Sequence, residues 1–233
     1  MITIRAVTYN VMLGKHLDRI IDWVNRLPDH EVMCFQEFPQ KRLREFTMLL
    51  GRRPYGFRFT PSFTFRKNIF GQLTMFRKDL LELVSTRVVP LGINRVERSI
   101  LRTSLPRTCL IMTFRKKDVE FVIVNVHVVA LTVNKTKYVQ VEHIVESICG
   151  RSLPTIMLGD FNISSVVGKR KLIAQMATRG FFTINSRLVT HRVSIFRHQF
   201  DYVFGLLCSV RRLKAERIRY SDHYPLLATI ALP

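Results

Sequence analysis

Strand-like and helix-like stretches alternate from one end of the chain to the other, and no Pro/Gly/Ser-rich linker, low-complexity segment or internal repeat interrupts them. That unbroken alternation narrows the possible folds more than any other feature. Ile2 to Tyr9 alternates apolar and polar residues, and Leu17, Ile20, Ile21, Val24 and Leu27 then recur at helical spacing until Pro28 ends the turn. Val32-Met33-Cys34-Phe35 is a short apolar strand ending in Gln36-Glu37. A second helix is expected after Pro39, with Leu43, Phe46, Leu49 and Leu50 on one face and Gly51 as its stop. The middle reads as β: Gly71 to Arg77, Leu80 to Val89, Cys109 to Arg115 and Val119 to Val126, the last two joined by a Lys116-Lys117-Asp118 turn. Asn134 is placed to cap a helix lined by Tyr138, Val141, Ile144, Val145 and Ile148. An apolar strand, Pro154 to Gly159, precedes a basic helix from about Lys169 to Arg179 closed by Gly180, and the remainder is mostly strand. About four helices and at least ten strands, with hairpins as well as βα units, predict two mixed sheets packed face to face with helices outside, in one domain spanning residues 1–233.

Charge enters next. The 233 residues carry 37 Lys and Arg against 17 Asp and Glu, a net charge of +20, so a basic surface exists and a polyanion is the expected partner. Disorder is excluded by the content of Val, Ile, Leu and Phe. Cys34, Cys109, Cys149 and Cys208 show neither metal-ligand spacing nor a disulfide framework and read as small buried hydrophobes in a reducing compartment. No basic segment followed by an apolar run opens the chain, and the apolar stretch Phe121 to Val133 is too short for a bilayer. A soluble, intracellular monomer without stable membrane insertion, cytoplasmic or in the nucleoid or nucleus, is therefore expected.

Because acids are scarce, their positions are informative. Asn10, Glu37, Asn125, His127, Asp160, Asn162, Asp201, Asp222 and His223 all fall at the ends of expected strands, where a rigid scaffold collects reactive groups. Singly each has a plainer reading: a turn for Asn10 or Asn125, a solvated charge for Glu37, an Asx turn for Asp160, a core histidine for His127. Together they form an ordered set: Thr8-Tyr9-Asn10, Phe35-Gln36-Glu37, Asn125-Val126-His127, Gly159-Asp160-Phe161-Asn162, Phe200-Asp201-Tyr202 and Ser221-Asp222-His223. This succession resembles the endonuclease/exonuclease/phosphatase superfamily, the deoxyribonuclease I-like fold, over essentially the whole chain.

The resemblance implies a four-layer α/β/β/α sandwich with the active site at one edge and a divalent metal, magnesium or manganese. It implies that Glu37 is the main metal-ligating carboxylate, with Asn10 and Asp222 nearby. Asp160 would orient or deprotonate the attacking water, and Asn162 would hold that water or the phosphate. Asp201 would pair with His223 and set its imidazolium against a non-bridging oxygen. His127 matches a histidine of the deoxyribonuclease, sphingomyelinase and phosphoinositide phosphatase branches that lies against the scissile phosphate. The chemistry is consistent on its own terms. An anionic phosphodiester repels hydroxide, so its hydrolysis needs a hard Lewis acid, an in-line base and a cationic donor for the developing charge. Carboxylate and amide oxygens suit magnesium, and no Cys/His cluster suggests zinc.

For substrate, basic clusters stand at Lys41-Arg42-Leu43-Arg44, Arg52-Arg53, Arg115-Lys116-Lys117, Lys169-Arg170-Lys171 and Arg211-Arg212-Leu213-Lys214. Lys169, Arg170 and Lys171, which follow the Asp160/Asn162 loop, and Arg102, ahead of a central strand with Arg98 and Arg107, are the candidate phosphate contacts. Tyr55 to Phe59 and Phe63 to Lys67 interleave aromatic and basic residues, a pattern open to base stacking but better suited to Phe side chains facing the core. His127 and the Gln36-Glu37-Phe38-Pro39 sequence depart from the apurinic endonuclease branch, whereas the histidine in the middle motif together with His198-Gln199-Phe200-Asp201 looks more like the tyrosyl-DNA phosphodiesterases and the general nuclease/phosphatase members. The leading expectation is a nuclease or phosphodiesterase on DNA or RNA, including 5′-tyrosyl-DNA adducts. A lipid or inositol phosphate hydrolase on the same metal centre is the alternative, and a catalytically silent nucleic-acid-binding module the third.

Overall fold

The computed structural model describes residues 2–50, 54–148, 150, 152–184 and 187–233. The expected stop at Gly51, the Arg52-Arg53 pair and Cys149 lie outside the described residues. A six-stranded sheet runs in the order β12 (Ser209–Ala215), β13 (Leu226–Leu232), β1 (Ile2–Asn10), β2 (Val32–Pro39), β4 (Asn68–Arg77), β3 (Tyr55–Phe65). A five-stranded sheet runs β11 (Asp201–Leu206), β8 (Thr155–Asp160), β7 (Val119–His127), β6 (Thr108–Lys116), β5 (Glu82–Pro90), and β9 (His191–Val193) with β10 (Phe196–His198) forms a separate hairpin. The α-helices are α1 (Leu17–Arg26), α2 (Leu43–Leu49), α3 (Arg95–Leu101), α4 (Asn134–Ile148) and α5 (Val166–Thr178).

Side-chain alternation builds the layers. Ile4 and Ala6 of β1, Val32 and Cys34 of β2, Leu110, Met112 and Phe114 of β6, and Ile156 and Leu158 of β8 all enter one core between the sheets. Residues one step out of phase face outward. Val7, Tyr9, Met33 and Phe35 pack under Ile20, Val24 and Phe46 of α1 and α2, while Ile111, Val124 and Met157 pack under Ile144, Val145, Leu172 and Met176 of α4 and α5. Strands buried on both faces read as continuous apolar runs, which is how β7 and β8 appear in the sequence. Three cores separate four layers, and the expected α/β/β/α sandwich is the observed fold.

Local departures have local causes. The short helix α3 buries only Glu97, while its Val96 and Ile100 face outward, so no core-facing stripe marks it. Helix α5 begins at Val166 under a Ser165 cap, whose Oγ accepts the Gly168 N–H at 3.0 Å, so Lys169 lies within the helix instead of opening it. Asn134 is the first helical residue of α4, and its side chain reaches toward Ser165. In the α2 segment Phe46 and Leu50 are buried but Leu49 is exposed. Phe63 and Phe70 enter the core of the β3–β4 hairpin, whereas Phe57 is 40% exposed. Cys34 and Cys109 are buried free thiols, and Cys208 is half-buried.

Candidate active site

Strand register assembles the centre. Parallel pairing of β7 with β8 sets His127 beside Asp160, and antiparallel pairing of β11 with β8 sets Asp201 beside Asp160, so three polar residues share one row at the end of the five-stranded sheet. In the other sheet β1 and β2 run parallel, and their pairing ends at Asn10 and Gln36. The β2–β4 register then shifts between Phe35 and Phe38, and Glu37 occupies that bulge at φ +55°. A bulge re-aims a side chain, here into the gap between the sheet ends. Asp222 and His223 come from the loop entering β13.

Gly159, one residue before Asp160, has φ +148°, and a Cβ there would sit 2.0 Å from the Val126 carbonyl oxygen. Only glycine lets β8 approach β7 this closely. Asn125 serves the scaffold. Its Oδ1 accepts from Gln36 Nε2 at 2.8 Å, and its Nδ2 donates to Thr74 Oγ1 at 3.1 Å and to the Leu73 carbonyl at 3.2 Å, tying the two sheets beneath the centre.

Asn10 Nδ2 donates to Asp160 Oδ2 at 3.0 Å and to Glu37 Oε1 at 3.3 Å, while its Oδ1 accepts the Met12 N–H at 3.0 Å. That backbone donor fixes the amide orientation, so Asn10 presents its nitrogen, not its oxygen, to the two carboxylates. Asp160 Oδ1 accepts the Asn162 N–H at 2.8 Å, and Asn162 Nδ2 donates to the Val128 carbonyl at 3.0 Å. Burial pushes Asp160 up to about 6 against the opposing influence of His223.

The two histidines are set oppositely. His223 Nδ1 lies 2.8 Å from Asp201 Oδ2; burial alone would lower its pKa, but Asp201 and Asp160 raise it to about 10, so His223 is an imidazolium at neutral pH. Thr190 Oγ1 accepts the Phe200 and Asp201 N–H groups, each at 3.0 Å, and holds that strand start in place. His127 is fully buried, and its Nδ1 lies 3.1 Å from Arg107 Nη1. A guanidinium only donates, so Nδ1 is the acceptor and the single proton of His127 resides on Nε2. Burial, then the Arg107 charge, hold its pKa well below the usual histidine value. His127 Nε2 has no hydrogen-bond partner and faces Glu37 Oε1 at 3.7 Å and Asp160 Oδ2 at 3.8 Å. Arg107 is itself buried, pairs with Glu97 through Nε at 2.9 Å and through Nη2, and stacks over Phe63 at 4.2 Å.

The donor set suits a hard divalent cation. Burial raises the Glu37 carboxyl despite Arg107 and Asn10, and Glu37 and Asp160 share a single neutral amide donor. Asp222, where hydrogen bonding to His191 and the His223 charge overcome burial to give a value of about 2, remains ionised. Ligand-type atoms of Asp160, Asp201 and His223, and of His191, Asp222 and His223, also converge. A protonated His223 cannot ligate, which leaves mainly carboxylate oxygen facing the centre, the donor type that a hard divalent cation takes.

Of the other expected contacts, Lys169 and Arg170 line a cleft beside α5. Lys171 instead sets its Nζ 4.8 Å over the Tyr138 ring, and Arg102 is exposed at the left-handed end of α3. Arg107 reaches the centre, as the partner of His127. His191, which no motif marks, sits with Nε2 3.6 Å from Asp222 Oδ2 and its ring 4.8 Å from that of His223.

No curated protein matches the chain by sequence. In structure it is similar to an endonuclease/exonuclease/phosphatase from Bacteroides vulgatus, with a TM-score of 0.80 at 15% identity, covering 100% of both chains. It is also similar to ANGEL2, a 2′,3′-cyclic phosphatase, with a TM-score of 0.77 at 14% identity over 99% of this chain and 95% of that one. A third similar structure is a Bacteroides thetaiotaomicron mannosyl-6-phosphatase, with a TM-score of 0.72 at 17% identity over 98% and 100% of the chains. The family model described as Endonuclease/Exonuclease/phosphatase family matches residues 7–223, and the chain belongs to that family of phosphoesterases.

Proposed function

We propose that the protein is a divalent-metal-dependent phosphodiesterase that hydrolyses nucleic-acid phosphodiester bonds. One observation carries the reading: two imidazoles, one from each sheet and in opposite charge states, direct Nε2 at the same Asp160 oxygen from 3.8 and 3.7 Å. Asp160, with its pKa near 6, is ionised at neutral pH and close enough to neutrality to accept a proton from water. Asn10 and the Asn162 N–H fix both of its oxygens. The His223 imidazolium, kept charged by Asp201, and the neutral His127 Nε2–H supply two donors for non-bridging oxygens as negative charge builds. Glu37 and Asp222 would hold the cation, which when bound supplies Lewis-acid neutralisation of the phosphate charge. The net charge of +20 supports nucleic acid as substrate, and the likeness to a 2′,3′-cyclic phosphatase is consistent with it.

A second reading, a phosphatase on a small sugar, inositol or lipid phosphate, draws on the likeness to the mannosyl-6-phosphatase. The test is a panel of single- and double-stranded DNA, RNA, a 5′-phosphotyrosyl oligonucleotide, sphingomyelin, an inositol phosphate and mannose 6-phosphate, each with magnesium, manganese or EDTA. EDTA-sensitive cleavage of oligonucleotides, reduced about 10²- to 10⁴-fold in Asp160→Asn and in His223→Ala, is the expected result. Turnover of the small esters or lipids alone would overturn the reading.

A further inference from the structure

Beside the centre, α5, the segment Arg187 to Val189 and the chain from Arg197 to Gln199 enclose a cleft of about 440 Å³. Lys169, Arg170, Arg187 and Arg197 line it, and among the described residues none of these four cations forms an ion pair with a carboxylate. Three arginines elsewhere are, by contrast, neutralised by two acids each: Arg42 by Asp18 and Glu45, Arg77 by Asp29 and Asp79, Arg115 by Glu82 and Glu120. Four clustered cations without acids repel one another and define an anion site. Lys169 is partly buried, and that burial lowers its pKa, so its ammonium gains most from an anionic partner.

The cleft is not built for bare phosphate. Gln199, only 4% exposed, lines it with an Oε1 that has no hydrogen-bond partner. A buried acceptor requires an N–H or O–H donor, which a dianion lacks and a nucleobase carries. The size falls in the range of small-ligand pockets.

Strand periodicity adds a third element. Arg197 and Gln199 alternate along the chain with Phe196, His198 and Phe200. Those three rings lie almost parallel, Phe196 to His198 at 6.4 Å and 8°, His198 to Phe200 at 5.6 Å and 4°. Phe200 then approaches His191 at 4.4 Å and the catalytic candidate His223 at 5.9 Å. The ladder is half-buried at His198 and Phe200, toward the centre, and ends outside in Phe196, which is 62% exposed. Backbone bonds from Tyr224 N to the Thr190 carbonyl at 2.6 Å and from Arg192 N to the Asp222 carbonyl at 2.8 Å lock the hairpin to the site loop.

We infer that this cleft and the exposed Phe196 ring hold the nucleotides adjoining the scissile phosphate in a single-stranded nucleic acid. The inference rests on the proposed phosphodiesterase reading for its substrate and names the strand form and the surface that carries it. Phosphates occupy the four-cation cleft, a base donates to Gln199, and an unpaired base stacks on Phe196, a face that a paired duplex base cannot offer in the same way.

Binding of a fluorescein-labelled octathymidylate, measured by anisotropy with the full chain in EDTA between 50 and 300 mM salt, separates this inference from catalysis. Arg187→Ala/Arg197→Ala should weaken binding about tenfold and flatten the salt slope by about 1.4, two phosphate contacts for a single strand. Arg211→Ala/Lys214→Ala, an equal charge loss on exposed β12, should leave binding close to wild type. Phe196→Ala should weaken single-strand binding at least about fivefold and leave the matching duplex unaffected. Equal loss in both charge pairs, no loss in the cleft pair, duplex preferred over single strand, or binding only to phosphatidylserine vesicles would overturn the inference. Binding of this pattern without hydrolysis of any panel substrate would sustain the cleft and remove the phosphodiesterase reading.

Discussion

His127 and His223 lie on either side of Asp160 yet are held in opposite protonation states, one by a guanidinium and the other by a carboxylate. A pH profile should show both ends. Turnover needs ionised Asp160, so it rises with pH through about 6, and it needs cationic His223, so it falls only as pH passes about 10. A flat profile between pH 5 and 7 would contradict the role of Asp160. The same sign governs stability. The folded His223 value of about 10 lies above its ordinary 6.5, so its stabilising contribution is complete below about 6.5 and is lost as pH rises through 10. Thermal melts of His223→Gln should lack that alkaline decline. Arg107→Met leaves Glu97 buried without its partner, which should cost about 3–5 kcal/mol in urea unfolding, and should also lower kcat by releasing the His127 tautomer. Asn10, Glu37 and Asp160 could be singled out from the sequence because oxygen-bearing residues at strand ends are rare in a chain with 17 acids. Arg107 was only one arginine among several, since its importance comes from a buried pairing with Glu97 ten positions away.

Elements carry the next level of constraint. The β7–β8 pairing brings His127 level with Asp160 only because Gly159 allows Val126 to approach. Gly159→Ala, at φ +148° and with its Cβ driven to 2.0 Å from the Val126 carbonyl oxygen, should lose several kcal/mol and most turnover, measured by melting and by the panel assay. Ser165→Ala, which removes the α5 cap, should cost only about 1 kcal/mol and change turnover little. Strands were legible because apolar runs and hairpin turns are local signals, and both sheets follow from them. Helix α3 was not, because a single buried polar residue leaves no periodic trace. His191 escaped for a related reason: its neighbours Asp222 and His223 are brought to it by an isolated strand bridge, a contact that no local pattern encodes.

At the scale of the whole molecule, the charge of +20 leaves far more cations than the few surface arginines that pair with carboxylates, the four of the α5 cleft among them, so salt should weaken substrate binding far more than it weakens folding. Chelation should abolish turnover, with return on adding magnesium or manganese; turnover that survives exhaustive EDTA treatment would contradict the oxygen-ligand assignment of Glu37 and Asp222. The cross-sheet bridge of Asn125 with Gln36 and Thr74 has a kinetic consequence. Asn10, Glu37 and Asp222 belong to one sheet and its loops, His127, Asp160 and Asp201 to the other. A nascent chain with only one sheet in place therefore already carries positive charge for a polyanion but possesses no intact cutting centre. Hydrolytic competence is acquired last, when the sheets dock, and its appearance in a refolding experiment should lag behind secondary structure and coincide with burial of the core between the sheets.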